Sequence, residues 1–160
     1  HNKMKTKTKK IEFKAEKKIE KIEFTTEKQV DFLDVTDRIE EFIESTGIKD
    51  GLVNVFSPHT TSSIIINHNE EMLKQDLMRV LYKLIPVDER YAHDMFELTN
   101  KTKSDGRSNG HSHCKVMLLG SSESIPLEDG AMLLGEKQSI FFVELDGARK
   151  RSFYVQVLGG

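Results

Sequence analysis

Apolar positions along this chain change period several times, and each change marks an element. Val35, Ile39, Phe42 and Ile43 recur at helical spacing among polar side chains, the stripe of a helix lying on a core. Asp34 or Thr36 can cap its start and Gly47 can end it. Residues 29–33, ahead of it, read as a short strand. Beyond Gly51, residues 52–56 form a β-rich run that stops at Ser57-Pro58, and residues 63–67 form a second. His59 therefore sits in a turn between strands, with Thr60, Thr61, Ser62 and Ser63 after it. Asn69 caps a second helix, whose stripe is Leu73, Leu77, Val80, Leu81 and Leu84, and Pro86 stops it.

After His93 the pattern lapses. Residues 99–110 are polar and without period, a stretch long enough to be a functional loop or disordered. They lead to His111 and His113, which an extended strand would place on one face. Residues 116–119, 139–145 and 152–158 read as strands, the last two joined through Asp146-Gly147 as a hairpin. Residues 11–24 fit an edge strand or an amphipathic lead-in equally. Two helices among seven or eight strands predict an α+β fold. It would be a single-domain sandwich of mainly antiparallel sheets with two principal helices packed on them.

Composition narrows the partners. A chain of 160 residues is one domain by length, with residues 19–160 as that domain. Residues 1–18 read as a lysine-rich extension behind a tag remnant, His1-Asn2-Lys3 before Met4. A net charge of -2 and a pI near 6.3 predict neither nucleic acid nor a membrane surface as partner. No apolar run approaches the ~20 residues of a membrane span, and the basic start leads into no apolar signal segment. Cys114, the single cysteine, fits a reducing compartment. A soluble cytoplasmic protein is the expectation.

The candidate chemistry lies in the histidines. Apart from His1 they stand mostly among small polar residues, in spacings that fit no zinc finger, so any metal site must be assembled from distant segments. His111 and His113 could ligate together or divide ligation and proton transfer, with Asn109 and Ser112 orienting the rings; solvated loop histidines are the plainer account. Asp94 could hold the tautomer of His93. The hydroxyls of Thr60, Thr61 and Ser62 suit a phosphate, or simply satisfy their own turn. Arg149 and Arg151 could hold a phosphate bidentately, or solubilise a hairpin tip. Cys114 reads as a small core residue.

Several segments taken in order resemble the YjbQ-type family, often described as secondary thiamine-phosphate synthases. They are Gly51-Leu52-Val53-Asn54-Val55-Phe56-Ser57-Pro58-His59-Thr60-Thr61-Ser62, Ile66-Asn67, Tyr91 with His93, and Asn109-Gly110-His111-Ser112-His113. Leu119-Gly120-Ser121-Ser122, Ile125-Pro126-Leu127, Leu134-Gly135 and Glu144-Leu145-Asp146-Gly147-Ala148-Arg149 follow. The resemblance implies an α+β sandwich assembled as a homotrimer, with a divalent metal, zinc by preference, held by His59, His93 and His113. It also implies a reaction that joins a hydroxymethylpyrimidine diphosphate to a thiazole phosphate and releases pyrophosphate.

On that reading His111 or Glu144 handles a proton, while Arg149, Arg151 and Lys115 neutralise the leaving pyrophosphate. Thr60, Thr61, Ser62 and Asn109 would contact the phosphorylated substrate. The chain departs from the family where His68 replaces a carboxylate after Ile66-Asn67 and where Lys137 replaces a tryptophan before Gln138. Two other functions use the same residues: a non-catalytic trimer that binds a metal or an anion, and a metal-dependent phosphoester hydrolase.

Overall fold

A computed structural model describes residues 15–99 and 107–160, together with Met4, Lys7 and Thr8. Most of the lysine-rich front, including Ile11 and Phe13, and residues 100–106 of the expected loop lie outside the described residues. The chain forms β1 (Glu16–Thr25), β2 (Asp31–Asp34), α1 (Thr36–Thr46), β3 (Gly51–Phe56), β4 (Ser62–Asn67) and α2 (Glu71–Leu84). It continues with α3 (Ala92–Thr99), α4 (Gly110–Leu119), β5 (Ser122–Glu128), β6 (Ala131–Met132), β7 (Ser139–Glu144) and β8 (Lys150–Gly159). The α+β expectation holds, with antiparallel pairing throughout.

The strands make two sheets. One has the order β1-β8-β3-β5-β6 and the other β2-β7-β4. The second lies in the middle of the molecule, which explains its sequence. Along β7, Ile140 and Phe142 face the first sheet and pack with Val53, Val55, Phe153 and Val155. Phe141 and Val143 face the other way, toward Leu77 and Leu81 of α2 and Val116 of α4. A strand buried on both sides reads as a continuous apolar run, as β7 does. Helix α1 closes the first layer through Ile39 and Ile43.

Three expectations are corrected. The runs around Asp146-Gly147 are not a hairpin, because β7 and β8 belong to different sheets. The Asp-Gly pair instead carries the chain from one layer to the next. Residues 116–119 are the end of a helix, α4, rather than a strand. Helix α2 is capped by Glu70, whose carboxylate accepts the Met72 and Leu73 N–H groups, while Asn69 donates to Asp34. Glu70 does the work of an aspartate there, at the positive end of the helix.

Gly47 ends α1 as expected, at a φ of 70° that favours glycine. The strand β1 begins at Glu16, inside the segment expected to be an extension. Its lysines suit an edge strand, where charge discourages pairing with another sheet. Among the described residues no helix is long and apolar enough to cross a membrane.

Candidate functional site

The helix α4 decides the site's layout. The segment 110–119 buries Gly110, His111, Ser112, Lys115 and Val116, a helical spacing filled largely by polar residues. Asn109 and Gly120 bracket it. On a helix His111 and His113 diverge by about 200°, so they cannot share a face as a strand would allow. His111 points inward with Lys115, one turn on. His113 points toward α3 and His93.

The inward side forms a closed cluster. Lys115 has no exposed surface. Its Nζ lies 2.6 Å from His111 Nδ1 and 3.7 Å from the centre of the Tyr82 ring. Burial lowers the Lys115 pKa to about 8 and raises that of Tyr82 to about 12. Burial, with the neighbouring lysine, also lowers that of His111. The Tyr82 hydroxyl is buried without a hydrogen-bond partner. His111 and Lys115 are thus engaged with one another inside the protomer, under Tyr82.

The outward side is open. His93 and His113 meet edge to face with ring centres 4.8 Å apart, beside a cavity of about 330 Å³ that Tyr91, Gly110 and Cys114 also line. His93 Nε2 is 2.9 Å from Asn109 Oδ1, and Asn109 Nδ2 donates to Asp146 Oδ2 at 2.8 Å. A carboxylate only accepts, so Asp146 fixes the orientation of the amide, and the amide oxygen in turn requires an N–H at His93 Nε2. The basic nitrogen of a neutral His93 is then Nδ1. Asp146 is itself held by Arg149 at 2.7 Å and lies 3.5 Å from Arg107. Asp94 does not hold His93; it accepts the Gly110 N–H at 2.8 Å and ties α3 to the start of α4.

Glu144 and Arg151 form a separate unit. Glu144 follows Ile140 and Phe142 on the face of β7 that meets the first sheet, and Arg151 comes to it from β8. Two hydrogen bonds of 2.6 and 2.8 Å join them between the sheets, where both are buried. Burial alone would raise the Glu144 pKa. Hydrogen bonds from Arg151, the Asp146 N–H and Thr26 outweigh it and hold the carboxyl below its ordinary value. Arg151 also donates to Thr61 Oγ1 and O, while Ser62 Oγ pairs with Ser57 Oγ. These groups serve one another between the sheets of the protomer. Thr60 is exposed. Arg149 binds Asp146 through its Nε and Nη2.

His59 stands elsewhere. The strand β3 ends at Phe56 opposite Tyr154, which leaves β8 without a partner on that side. His59 Nε2 accepts the Ser152 N–H there at 3.0 Å. Burial, and Arg151 beside it, lower its pKa, and an Nε2 that accepts leaves the ring proton on Nδ1. Among the described residues no three His, Cys, Asp or Glu side chains converge on one point. Within one protomer the three-histidine set does not fit a metal: His93 and His113 meet, and His59 lines a different cavity.

The family model for UPF0047 protein YjbQ-like matches residues 20–160. The chain belongs to the YjbQ family. A UPF0047 protein of Methanothermobacter thermautotrophicus is 42% identical over 127 residues, covering 79% of this chain and 82% of that one. One of Archaeoglobus fulgidus is 39% identical, covering 79% and 90%. A YbjQ-like structure from Sulfolobus solfataricus superposes with a TM-score of 0.82 at 28% identity, covering 91% of this chain and 99% of that one. A hypothetical protein from Aeropyrum pernix gives 0.80 at 30% identity, covering 89% and 99%.

In this YjbQ chain the signals for Asp146 and Tyr82 went unused. Asp146 stood in what looked like a turn dipeptide, and Tyr82 stood one position beyond the apolar stripe of α2, at Leu81.

Proposed function

We propose that this chain is a transferase of the thiamine-phosphate-synthase type, acting on a phosphorylated small molecule. The observation that carries the reading is the chain of contacts from Asp146 through Asn109 to His93, which meets His113 beside an open cavity. Orienting an imidazole through a fixed amide and a buried carboxylate is how proteins hold a histidine for ligation or proton transfer. A purely structural surface histidine needs no such support.

In this reading His93 and His113 hold and move a proton at the reacting atoms, or bind a divalent ion with a further donor from a second copy. Zinc suits imidazole donors and would supply charge neutralisation to a departing pyrophosphate. His59 is left out of that set, because its Nε2 is engaged by Ser152. A homotrimer is part of the same proposal. Ile19, Leu52, Phe56 and Leu158 are exposed on the outer face of the first sheet, which no helix among the described residues covers, and apolar groups so placed favour assembly.

One observation favours a second reading. Glu144 is locked to Arg151, so no carboxylate from that pair is available as a base, and a trimer that binds its ligand without turnover would need none. The test is incubation with a hydroxymethylpyrimidine diphosphate and a thiazole phosphate, following thiamine phosphate and pyrophosphate together. Equal formation of both supports the transferase. Tight binding without either product supports the binding protein, and phosphate release alone supports a hydrolase.

A further inference from the structure

On the outer side of β1 and β8 a groove of about 560 Å³ is lined by Lys21, Glu23, His59, Lys150, Arg151 and Ser152 among others. Its polar groups are mostly donors. His59 gives its Nε2 lone pair to the Ser152 N–H, so the neutral ring has an Nδ1–H to offer. Arg151 brings positive charge to the wall, but its hydrogen bonds go to Glu144 and Thr61. Glu23 is engaged by Lys21 at 3.2 Å. Lys150 is exposed at the rim, and among the described residues no carboxylate pairs with it.

We infer that this groove is an oxyanion subsite for the phosphate or diphosphate of a small molecule, with Lys150 and His59 Nδ1–H as its principal donors. A solvated lysine tip explains Lys150 alone. It does not explain a neutral imidazole whose tautomer is set by a backbone N–H at the end of a strand. The volume suits a small organic phosphate. Lysine acts toward such a group as a point charge, and an imidazole N–H supplies direction. The inference rests on the proposed function only for the kind of ligand. It places the anion in a different cavity from His93 and His113.

The experiment titrates the intact protein with inorganic pyrophosphate, followed by calorimetry and by amide and imidazole NMR shifts. Lys150→Ala and Lys150→Glu are compared with Lys150→Arg and with His113→Ala. The expected result is saturable binding that shifts His59 and Ser152, weakened at least about tenfold in Lys150→Ala and lost in Lys150→Glu. Lys150→Arg and His113→Ala should keep it. No saturable binding, shifts confined to His93 and His113, or equal affinity in Lys150→Ala would each overturn the subsite. Binding without turnover would keep it while removing the transferase reading; turnover unaffected by Lys150→Glu would do the reverse.

Discussion

Asn109 points its Nδ2 at Asp146, 2.8 Å from Oδ2, and that one contact determines which nitrogen of His93 carries a proton. The amide has a single oxygen left for the ring, and it lies 2.9 Å from His93 Nε2. Replacing Asn109 with Leu keeps the volume and removes both contacts. Loss of such an orienting partner commonly costs roughly 10–100-fold in activity or metal affinity. Nitrogen NMR of His93 should show the parent as the Nε2–H tautomer and the variant as a mixture. An unchanged tautomer in Asn109→Leu would remove Asp146 and Asn109 from the site.

Lys115 makes stability depend on pH in a defined window. Its pKa falls from 10.5 to about 8 on burial, so between those values the unfolded chain holds the proton more tightly than the folded one. Stability should therefore rise with pH across that window, and the penalty should be full below it. Relative to Lys115→Met, the parent should gain roughly 1–3 kcal/mol between pH 8 and 10.5 in urea unfolding. Parallel profiles for the two proteins would show that the ammonium is not desolvated.

The buried pair Glu144–Arg151 predicts a large cost for breaking either half. Glu144→Gln or Arg151→Met leaves one charge uncompensated between the sheets, an error worth about 3–5 kcal/mol. The sign with pH is the same as for Lys115, in a lower window. A carboxyl held below its ordinary value stabilises the fold above that value, and the contribution fades as acid protonates it. Acid unfolding of the parent should be steep below the ordinary carboxylate range and shallower in Glu144→Gln.

Gly110, at the start of α4, lies against Tyr91 and against Asp94 of α3. A Cβ built there would stand 2.6 Å from Tyr91 Cβ and 3.1 Å from Asp94 Oδ1. Gly110→Ala should push the helices apart, costing about 1–3 kcal/mol and separating His93 from His113. Unchanged melting with unchanged histidine shifts would contradict the packing described.

The sequence was informative where burial and period agree. Val35, Ile39, Phe42 and Ile43 announced α1, and the β-rich run 139–145 announced the strand β7. The site was less legible, because α4 buries His111, Ser112 and Lys115 in place of leucines and so carries no apolar stripe. Reading those residues as a strand paired His111 with His113, whereas the helix sends them to different neighbours. The family pattern named His59, His93 and His113 together, but no local rule in the sequence says that His59 completes the end of β8. That depends on where β3 stops, which is a property of the paired sheet.

The most direct test compares turnover of the two proposed substrates by the parent and by folded His93→Ala, with thiamine phosphate measured against a protein-free blank. The account predicts product above the blank for the parent and a loss of at least about a hundredfold in the variant. Equal product from both proteins, or none from the parent, would contradict it.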